Sequence, residues 1–329
     1  MTQFWFAASS EEFPPSQMLE QCVAAERASF DVLGSSDHFA PWWPDGQASQ
    51  AWVTLAAVGQ RTSLPLTTGV TPVIHHYHPA VVAQAFMSME ELYPGRVYLG
   101  VGSGEALNEV PLGLDWPEPA EMLERFEAGL EAITRLWAGE TVTMDGGWFR
   151  LREAKLYTRA EDRPRLYVSA FGPQAAEIAA RYGDGLWTMG DPEMAPEVIA
   201  AYRDACARHG REPGELILQG GFDLAADEQA AIASSRKWKA TQLEEVYRDD
   251  LHYPAEMLAK AEEEVRGDEE FAKQGFIVGA DPQEHVERIR QIEAIDDATT
   301  AIVLQLVGDA DPMGSIRRYG EHVLPALRG

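Results

Sequence analysis

The sequence predicts an α/β protein folded as one (β/α)8 TIM barrel domain over residues 1–329, with insertion segments. Short apolar, β-branched or aromatic runs alternate with longer segments of helical period, which is typical of β-α units and a parallel sheet. Eight such runs can be counted, and eight is the number of strands that closes this barrel. The length also suits a barrel, because barrels of about 250 residues and more form single domains.

The elements follow one another along the chain, and Pro at or near the first turn of several helical segments favours helix starts there. Strands are predicted at 3–8, 30–36, 65–70, 96–101, 165–170, 184–188, 215–220 and 300–306. Helices are predicted at 15–29, 48–61, 79–92, 119–138, 173–182, 192–210, 282–294 and 312–327. The segment at about 223–281 is charged and helical in pattern. We expect it to be an excursion from the barrel, because the eighth strand still follows it.

An open doubly wound sheet is the competing architecture. That fold usually binds a nucleotide at its first β-α turn, through a Gly-rich phosphate loop. The first turn here, FAASSEEFPPS at 6–16, has no such loop. The barrel is therefore favoured, and its catalytic groups are expected on loops that follow the carboxyl ends of the strands.

The composition excludes several classes of partner. The chain has 53 acidic and 27 basic residues, a formal net charge of -26. Nucleic-acid binding needs clustered Lys and Arg, and an acidic membrane surface would repel this chain. The N-terminus has no basic region followed by an apolar run, and no apolar stretch approaches about 18 residues. We therefore expect a cytoplasmic protein that binds neither nucleic acid nor membrane.

The segment LGVGSGEALNE, 99–109, follows the fourth strand. It fails the dinucleotide pattern G-x-G-x-x-G, because Leu107 stands where the third Gly would be. What remains is a Gly-Ser-Gly turn that lets the backbone approach a ligand closely, with Glu105 and Asn108 at its exit. A solvated barrel turn is the alternative interpretation.

The segment VSAFGPQAAEIAARYGDG, 168–185, reads as a strand, a Gly-Pro turn and the start of a helix. Backbone N–H groups at such a helix start can bind an anion without any basic side chain. The alternative is a simple β-α turn with no ligand.

Three histidines, His75, His76 and His78, lie close together in VIHHYHPAVV. Three imidazoles can bind zinc, but this spacing in a loop is not a strong zinc pattern and neither Cys nor HExxH supports it. We expect no metal, and interpret these residues as loop or interface histidines.

The segment GSSDHFAPWWPD, 34–45, follows the second strand. His38 is a natural general base, since its ordinary pKa is near neutral, but a histidine near Trp can equally be a core residue whose hydrogen bonds are satisfied. Trp42 and Trp43 could form a flat apolar wall for a ring, or they could be packing at the barrel rim.

Several segments in order along the chain strongly resemble the F420-dependent glucose-6-phosphate dehydrogenase family, within the luciferase-like flavin and deazaflavin superfamily. They are ASSEEF, SDHFAPW, GVTPVIHHYHPAVVAQAF, LYPGRVYLGVGSGEALNE and GDGLW. The resemblance spans about residues 4 to 190 and is weaker beyond. It implies a (β/α)8 barrel, usually a homodimer, which binds coenzyme F420 at the barrel mouth; FMN is the alternative cofactor.

The resemblance also implies roles for individual residues. His38 matches a catalytic histidine that takes the proton from a substrate hydroxyl as its hydride leaves. Glu105 matches a glutamate that protonates the deazaflavin ring, and Trp42 a tryptophan that flanks the reacting carbon. Matches to coenzyme contacts are Asp37, Ser103, Gly104 and Asn108, and the phosphate-side turn Ala170, Phe171, Gly172, Pro173, Gln174 and Ala175, where Phe171 replaces a small residue. Gly69 and Val70 match a bulge with a cis peptide that backs the ring.

The substrate side departs from the family. Relatives that oxidise glucose 6-phosphate hold the phosphate with Lys and Arg, but Asp191 stands at or beside the Lys position and Gln274 or Gly275 at the Arg position. Residues expected near the substrate are Glu11, Trp43, His76, Thr188 and Asp191. Arg236, Lys239 or Lys260 are candidates to rebuild a phosphate site.

We therefore expect a hydride to pass between C5 of the deazaflavin and the hydroxyl carbon of a non-phosphorylated alcohol or sugar. The alternatives are an FMNH2-dependent luciferase-like monooxygenase and a glucose-6-phosphate dehydrogenase.

Overall fold

The computed structural model describes residues 1–247, 251–265 and 267–329, and its centre is a closed parallel barrel. The strands are β1 Gln3–Ala8, β2 Val32–Ser35, β3 Leu66–Thr68, β4 Thr71–Pro72, β5 Val97–Gly102, β6 Val142–Asp145, β7 Arg150–Ala154, β8 Arg165–Ser169, β9 Gly185–Met189, β10 Glu215–Leu224, β11 Phe276–Gly279 and β12 Thr299–Leu306. The barrel order is β1-β2-β3-β5-β8-β9-β10-β12, and β12 pairs with β1 to close it. The (β/α)8 prediction is thus confirmed.

Helices surround the barrel and connect its strands. They are α1 Pro15–Arg27, α2 Ala51–Gly59, α3 Pro79–Leu92, α4 Ala106–Glu109, α5 Pro119–Trp137, α6 Pro173–Tyr182, α7 Ala195–Arg208, α8 Glu228–Ser235, α9 Pro254–Glu264, α10 Asp268–Gly275, α11 Pro282–Glu293, α12 Pro312–Arg318 and α13 Leu324–Arg328. Pro occupies the first turn of many of them, where its missing N–H costs no helix hydrogen bond. Among the described helices, none has the length and apolar character needed to span a membrane.

The barrel interior is filled by large side chains. Trp5, Tyr167 and Trp187 are buried there, and the Trp5 ring centroid lies 5.6 Å from that of Tyr167 and 5.8 Å from that of Trp187. A larger apolar core lies between the strands and the surrounding helices. Because side chains fill its interior, the barrel offers ligand space only at its ends.

Each predicted barrel strand is present, and the bounds agree within two residues except that β10 ends at Leu224, four residues later than predicted; other features also differ from the predicted pattern. The antiparallel hairpin of β6 and β7 follows α5, turning through Gly146 and Gly147, and β4 adds a short pairing with β5. The predicted helix at 312–327 is interrupted by a π-helical turn, Tyr319–Val323. Within 223–281, α8, α9 and α10 alternate with 3-10 turns, while β11 extends the sheet along β10.

The excursion covers the barrel mouth with a third apolar cluster. Trp238, Val246 and Phe271 from the excursion are buried in this cluster together with Trp42 and Trp43 from the loop after β2. The residues that follow β2 are thereby held against the residues that follow β10, which shapes the space above the barrel.

Candidate active site

A cavity of about 880 Å³ opens at the carboxyl ends of the barrel strands. The predicted site residues that line it are Glu11, Asp37, His38, Trp42, Gly69, Val70, Ser103, Gly104, Glu105, Asn108, Phe171, Gly172, Pro173, Gln174 and Ala175. Its volume lies in the upper part of the range of about 300–1,000 Å³ for small-molecule sites. Loops that are distant in sequence therefore meet at one site.

His38 lies between two carboxylates. Its Nε2 atom is 3.4 Å from Glu11 Oε1 and 3.3 Å from Glu105 Oε2, while Nδ1 lies 3.3 Å from the carbonyl oxygen of Ala40. The Ser36 hydroxyl donates a hydrogen bond to Glu11 Oε2, which fixes that carboxylate beneath the imidazole. Nε2 is thus the nitrogen that can exchange a proton in the cavity.

Burial lowers the pKa of His38, but the negative charges of Glu11 and Glu105 oppose this effect, and the net pKa lies above the ordinary value. Burial also raises the pKa of Glu105; His38 partly offsets this and Glu11 adds to it. His38 and Glu105 therefore influence each other's pKa, and the charge of Glu11 acts on both. A proton can be held on either side of the His38–Glu105 contact.

Asn108 connects two loops of the site. Its side-chain oxygen accepts hydrogen bonds from the backbone N–H of Phe39, at 2.8 Å, and of Ala40, at 3.2 Å. Its amide nitrogen donates to Glu105 Oε2 at 3.2 Å. Asn108 thereby links the loop that carries His38 to Glu105.

Asp37 is buried, and three neighbouring side chains bind its carboxylate. Its carboxylate accepts hydrogen bonds from Trp52 Nε1 at 2.9 Å, the Thr71 hydroxyl at 2.7 Å and the Tyr77 hydroxyl at 3.1 Å. Burial raises its pKa, and these hydrogen bonds limit the rise. Asp37 therefore holds together the loops after β2 and β4 at the cavity edge.

Small residues allow a flat ligand to approach the backbone. The Gly69–Val70 peptide bond is cis and lines the cavity. A Cβ atom on Gly102 would lie 2.6 Å from Val70 Cγ2, and Gly104 has φ +79°, a conformation that favours glycine. Side chains larger than glycine at these two positions would displace the surrounding loop.

The N-terminus of α6 faces the cavity. Gly172 is the N-cap and Pro173 begins the helix, so the N–H groups of Gln174 and Ala175 lie in the first turn, where the helix provides no acceptor. Phe171 beside them is 58% exposed. These residues can hold an anionic group through backbone N–H groups alone.

Five predicted site residues do not line the cavity. Trp43 packs edge-on against Trp238, with ring centroids 5.2 Å apart, and Ala170 and Thr188 are buried in the barrel wall. His76 Nδ1 is 2.9 Å from the buried carboxylate of Glu109. Asp191 is exposed, and its carboxylate accepts hydrogen bonds from two backbone N–H groups just before α7.

The three neighbouring histidines have separate partners. His75 Nε2 lies 3.1 Å from the carbonyl oxygen of Asp115, and His78 Nδ1 accepts a hydrogen bond from the N–H of Ala80 at the start of α3. Among the described residues, no group of three or more His, Cys, Asp or Glu side chains is arranged to hold a metal ion.

Sequence reasoning missed the aromatic residues that the excursion contributes. Trp238 and Tyr247 line the cavity, as do Phe276 at the start of β11 and Val307 after β12. The sequence signal for Trp238 and Tyr247 was the presence of two aromatic residues in the otherwise charged segment KWKATQLEEVY, 237–247.

Comparison with known proteins agrees with this geometry. The model of the luciferase-like monooxygenase family matches residues 1–297. An F420-dependent glucose-6-phosphate dehydrogenase of Microbacterium testaceum is 38% identical, covering 99% of this chain and 97% of its own. An F420-dependent hydroxymycolic acid dehydrogenase of Mycobacterium tuberculosis is 36% identical, covering 97% and 87%.

A solved structure extends the similarity over the full fold. An F420-dependent secondary alcohol dehydrogenase in complex with an F420-acetone adduct superposes with a TM-score of 0.93 at 30% identity, covering 100% of this chain and 99% of that one. The chain belongs to the luciferase-like monooxygenase family and, within it, to the family that contains the F420-dependent glucose-6-phosphate dehydrogenases.

Proposed function

We propose that the protein is an F420-dependent oxidoreductase that acts on the hydroxyl carbon of a non-phosphorylated alcohol or sugar. The observation that carries this proposal is His38, held between Glu11 and Glu105 in a cavity whose described lining contains neither Lys nor Arg. The relatives with F420-dependent activity support the choice of coenzyme.

The residues of the cavity fit a deazaflavin coenzyme. Gly69, Val70 and Gly104 would face its ring system, because they leave the backbone accessible to a flat group. The first turn of α6 would hold the anionic part of the coenzyme through backbone N–H groups, with Phe171 beside it. When bound, the coenzyme supplies a hydride acceptor or donor.

His38 and Glu105 supply the two proton-transfer groups of the reaction. In alcohol oxidation, His38 Nε2 takes the hydroxyl proton of the substrate, and Glu105 gives a proton to the coenzyme side of the cavity. The charge of Glu11 stabilises the imidazolium that results. In carbonyl reduction, both proton transfers run in reverse.

The charge of the cavity argues against a phosphorylated substrate. A phosphate dianion needs Lys or Arg partners, and Glu11, Asp37 and Glu105 on the described lining would repel it. Of the candidate cations, Arg236 pairs with Glu262, and its neighbours in the excursion are also paired with carboxylates: Lys239 with Asp268 and Lys260 with Glu245 and Glu264. None of these three cations lines the cavity.

We also propose a homodimer, as the resemblance implied. Exposed apolar side chains on α2 and α3, namely Val53, Val81 and Leu92, offer contact surface for a second copy. Light scattering at several concentrations measures the mass directly. The cytoplasmic location remains a prediction.

The test begins with coenzyme binding. Titration of the purified protein with F420 and with FMN should give tight F420 binding, and tight FMN binding without F420 binding would contradict the proposal. A panel of alcohols, sugars and sugar phosphates, followed through the absorbance of oxidised F420, then tests the reaction. Oxygen consumption with reduced flavin would instead favour the monooxygenase alternative.

A further inference from the structure

We propose that the substrate is an alcohol, or the matching ketone, with one reacting oxygen on a bulky apolar body. That body is bound by the side chains of Trp42, Trp238, Tyr247, Phe276 and Val307, which we call the apolar wall. This inference rests on the proposed function and narrows its substrate class, because it excludes sugars.

The apolar wall lies on one side of the barrel mouth. Trp42 follows β2, Trp238 and Tyr247 follow β10, and Val307 follows β12. In the closed order of strands, β12 and β1 are opposite β5 and β8, whose loops form the expected coenzyme side. The apolar wall is therefore available to contact the substrate.

His38 is in direct contact with this wall. Its ring centroid is 5.7 Å from that of Trp42, and the Trp42 ring is 6.1 Å from the Tyr247 ring. Trp238 continues the surface, 6.4 Å from the ring of Phe276. A substrate whose hydroxyl lies at His38 must place the rest of its body against these rings.

The polar side-chain atoms of Trp238 and Tyr247 in the wall are already bound within the protein. Trp238 Nε1 donates to the carbonyl oxygen of Val307 at 3.2 Å, and the Tyr247 hydroxyl donates to the carbonyl oxygen of Thr241 at 3.1 Å. The Thr241 hydroxyl donates to the carbonyl oxygen of Trp238 at 2.8 Å. The rings thus present carbon to the cavity.

The amides at the cavity floor are also committed to protein partners. Gln219 accepts a hydrogen bond from Trp187 Nε1 at 2.8 Å and donates one to Gln305 at 2.9 Å. Gln305 in turn donates to the Ser9 hydroxyl at 3.1 Å. This chain of hydrogen bonds engages the oxygen and one N–H of each amide with protein partners, which reduces their capacity to bind further substrate hydroxyls.

His38, Glu11 and Glu105 are the polar groups that meet beside the apolar wall. The reacting hydroxyl can be bound there. A sugar would bury its other hydroxyls against aromatic carbon without partners, and an unpaired buried polar group is unfavourable. An apolar body gains free energy from the same surface.

Calorimetric binding of a homologous series of 2-alkanols, from 2-propanol to 2-heptanol, tests the inference in the presence of reduced F420, which cannot accept a hydride from them. We expect affinity to rise about fourfold per added methylene, which corresponds to about 0.8 kcal/mol. The heat capacity of binding should become more negative along the series. Glucose should bind more weakly than 2-heptanol. The value of kcat/KM for oxidation should follow the same order.

Variants test whether the dependence of affinity on chain length arises at the apolar wall. Tyr247→Ala should weaken 2-heptanol binding about tenfold and 2-propanol binding far less, because the longer chain loses more apolar contact. Tyr247→Phe should weaken 2-heptanol binding far less than Tyr247→Ala does, because it keeps the ring and removes only the hydroxyl that donates to the carbonyl oxygen of Thr241. Tyr157→Ala is the matched control, because Tyr157 is 90% exposed and lies outside the cavity lining. F420 affinity should be unchanged in all three variants.

An affinity series without dependence on chain length, or glucose binding as tight as 2-heptanol, would overturn the inference. So would an equal loss for short and long alcohols in Tyr247→Ala. The proposed function fails separately: if the alcohols bind with the expected dependence but no hydride transfer to F420 is seen, the apolar wall is supported and the activity is not.

Discussion

The substitution Glu11→Gln tests the electrostatic basis of the site. Glu11 is 2% exposed, and its carboxylate lies 3.4 Å from His38 Nε2. Gln has nearly the same shape and can still accept the hydrogen bond from Ser36. The variant therefore removes a charge beside the imidazole while it keeps the packing.

The size of the effect follows from that distance. Two unit charges 3.4 Å apart interact by about 1.2 kcal/mol at the dielectric constant of water and by about 5 kcal/mol at an effective value of about 20. One pKa unit corresponds to about 1.36 kcal/mol. We expect the pKa of His38 to fall by about 1 to 3 units in the variant, the usual effect of a neighbouring opposite charge.

The direction of the expected shift in the pH–rate profile depends on which protonation state of His38 takes part in the proposed reaction. In the proposed reaction, alcohol oxidation needs unprotonated His38, so its rate should rise with pH through the pKa of this residue. In Glu11→Gln the acid limb of kcat/KM should move to lower pH, because that limb reports groups of the free enzyme. Carbonyl reduction needs protonated His38 and should decline at a lower pH than in the wild type.

Two measurements decide the outcome. NMR titration of the labelled His38 ring gives its pKa directly, and the pH dependence of kcat/KM gives the kinetic value. Glu20→Gln is the control, because Glu20 is exposed and pairs with Arg61 on the surface. If the pKa of His38 and the acid limb both stay unchanged in Glu11→Gln, the electrostatic reasoning is refuted.

Three further substitutions probe the surrounding structure. In the wild type, the Asn108 amide nitrogen lies 3.4 Å from His38 Nδ1, so Asn108→Asp places a negative charge beside the imidazole. The acid limb of kcat/KM should therefore move to higher pH, and a shift to lower pH would contradict this. Glu109→Gln weakens the buried contact with His76 and should lower the free energy of unfolding by about 1–3 kcal/mol in urea denaturation. Gly104→Ala forces a side chain into a left-handed conformation, at a cost of about 1–2 kcal/mol. Fluorescence titration should show weaker F420 binding by Gly104→Ala, and an unchanged Kd would argue against its place at the coenzyme.

The barrel could be predicted from sequence because its signals are local. Each strand is a short apolar run, and helices such as α3, α5 and α6 begin at Pro. The hairpin of β6 and β7 was missed, since its short strands alternate buried and exposed residues too briefly to stand out. The break at Tyr319–Val323 was missed because the sequence there keeps a helical pattern.

The candidate site likewise contains residues that local sequence patterns predict and residues that they do not. His38, Glu105 and Asn108 lie in compact segments after strands, where position alone predicts that they meet. Trp43 is adjacent to Trp42 but packs behind it, against Trp238, because consecutive residues of that loop face different directions. The contact partner of Trp43 comes from an insertion almost two hundred residues away, and no local pattern specifies such a contact.

The charge distribution around His38 also bears on the direction of reaction. Two carboxylates raise the pKa of the imidazole, so near neutral pH a larger fraction of the enzyme carries a proton on His38 than an isolated histidine would. In the proposed reaction, that form of His38 protonates a carbonyl oxygen, whereas alcohol oxidation requires His38 to lose this proton first. The protein does not alter the equilibrium between alcohol and ketone. It does alter the pH range in which each direction of the reaction is fast. The same carboxylates that disfavour a phosphorylated substrate therefore favour carbonyl reduction at neutral pH and alcohol oxidation at alkaline pH.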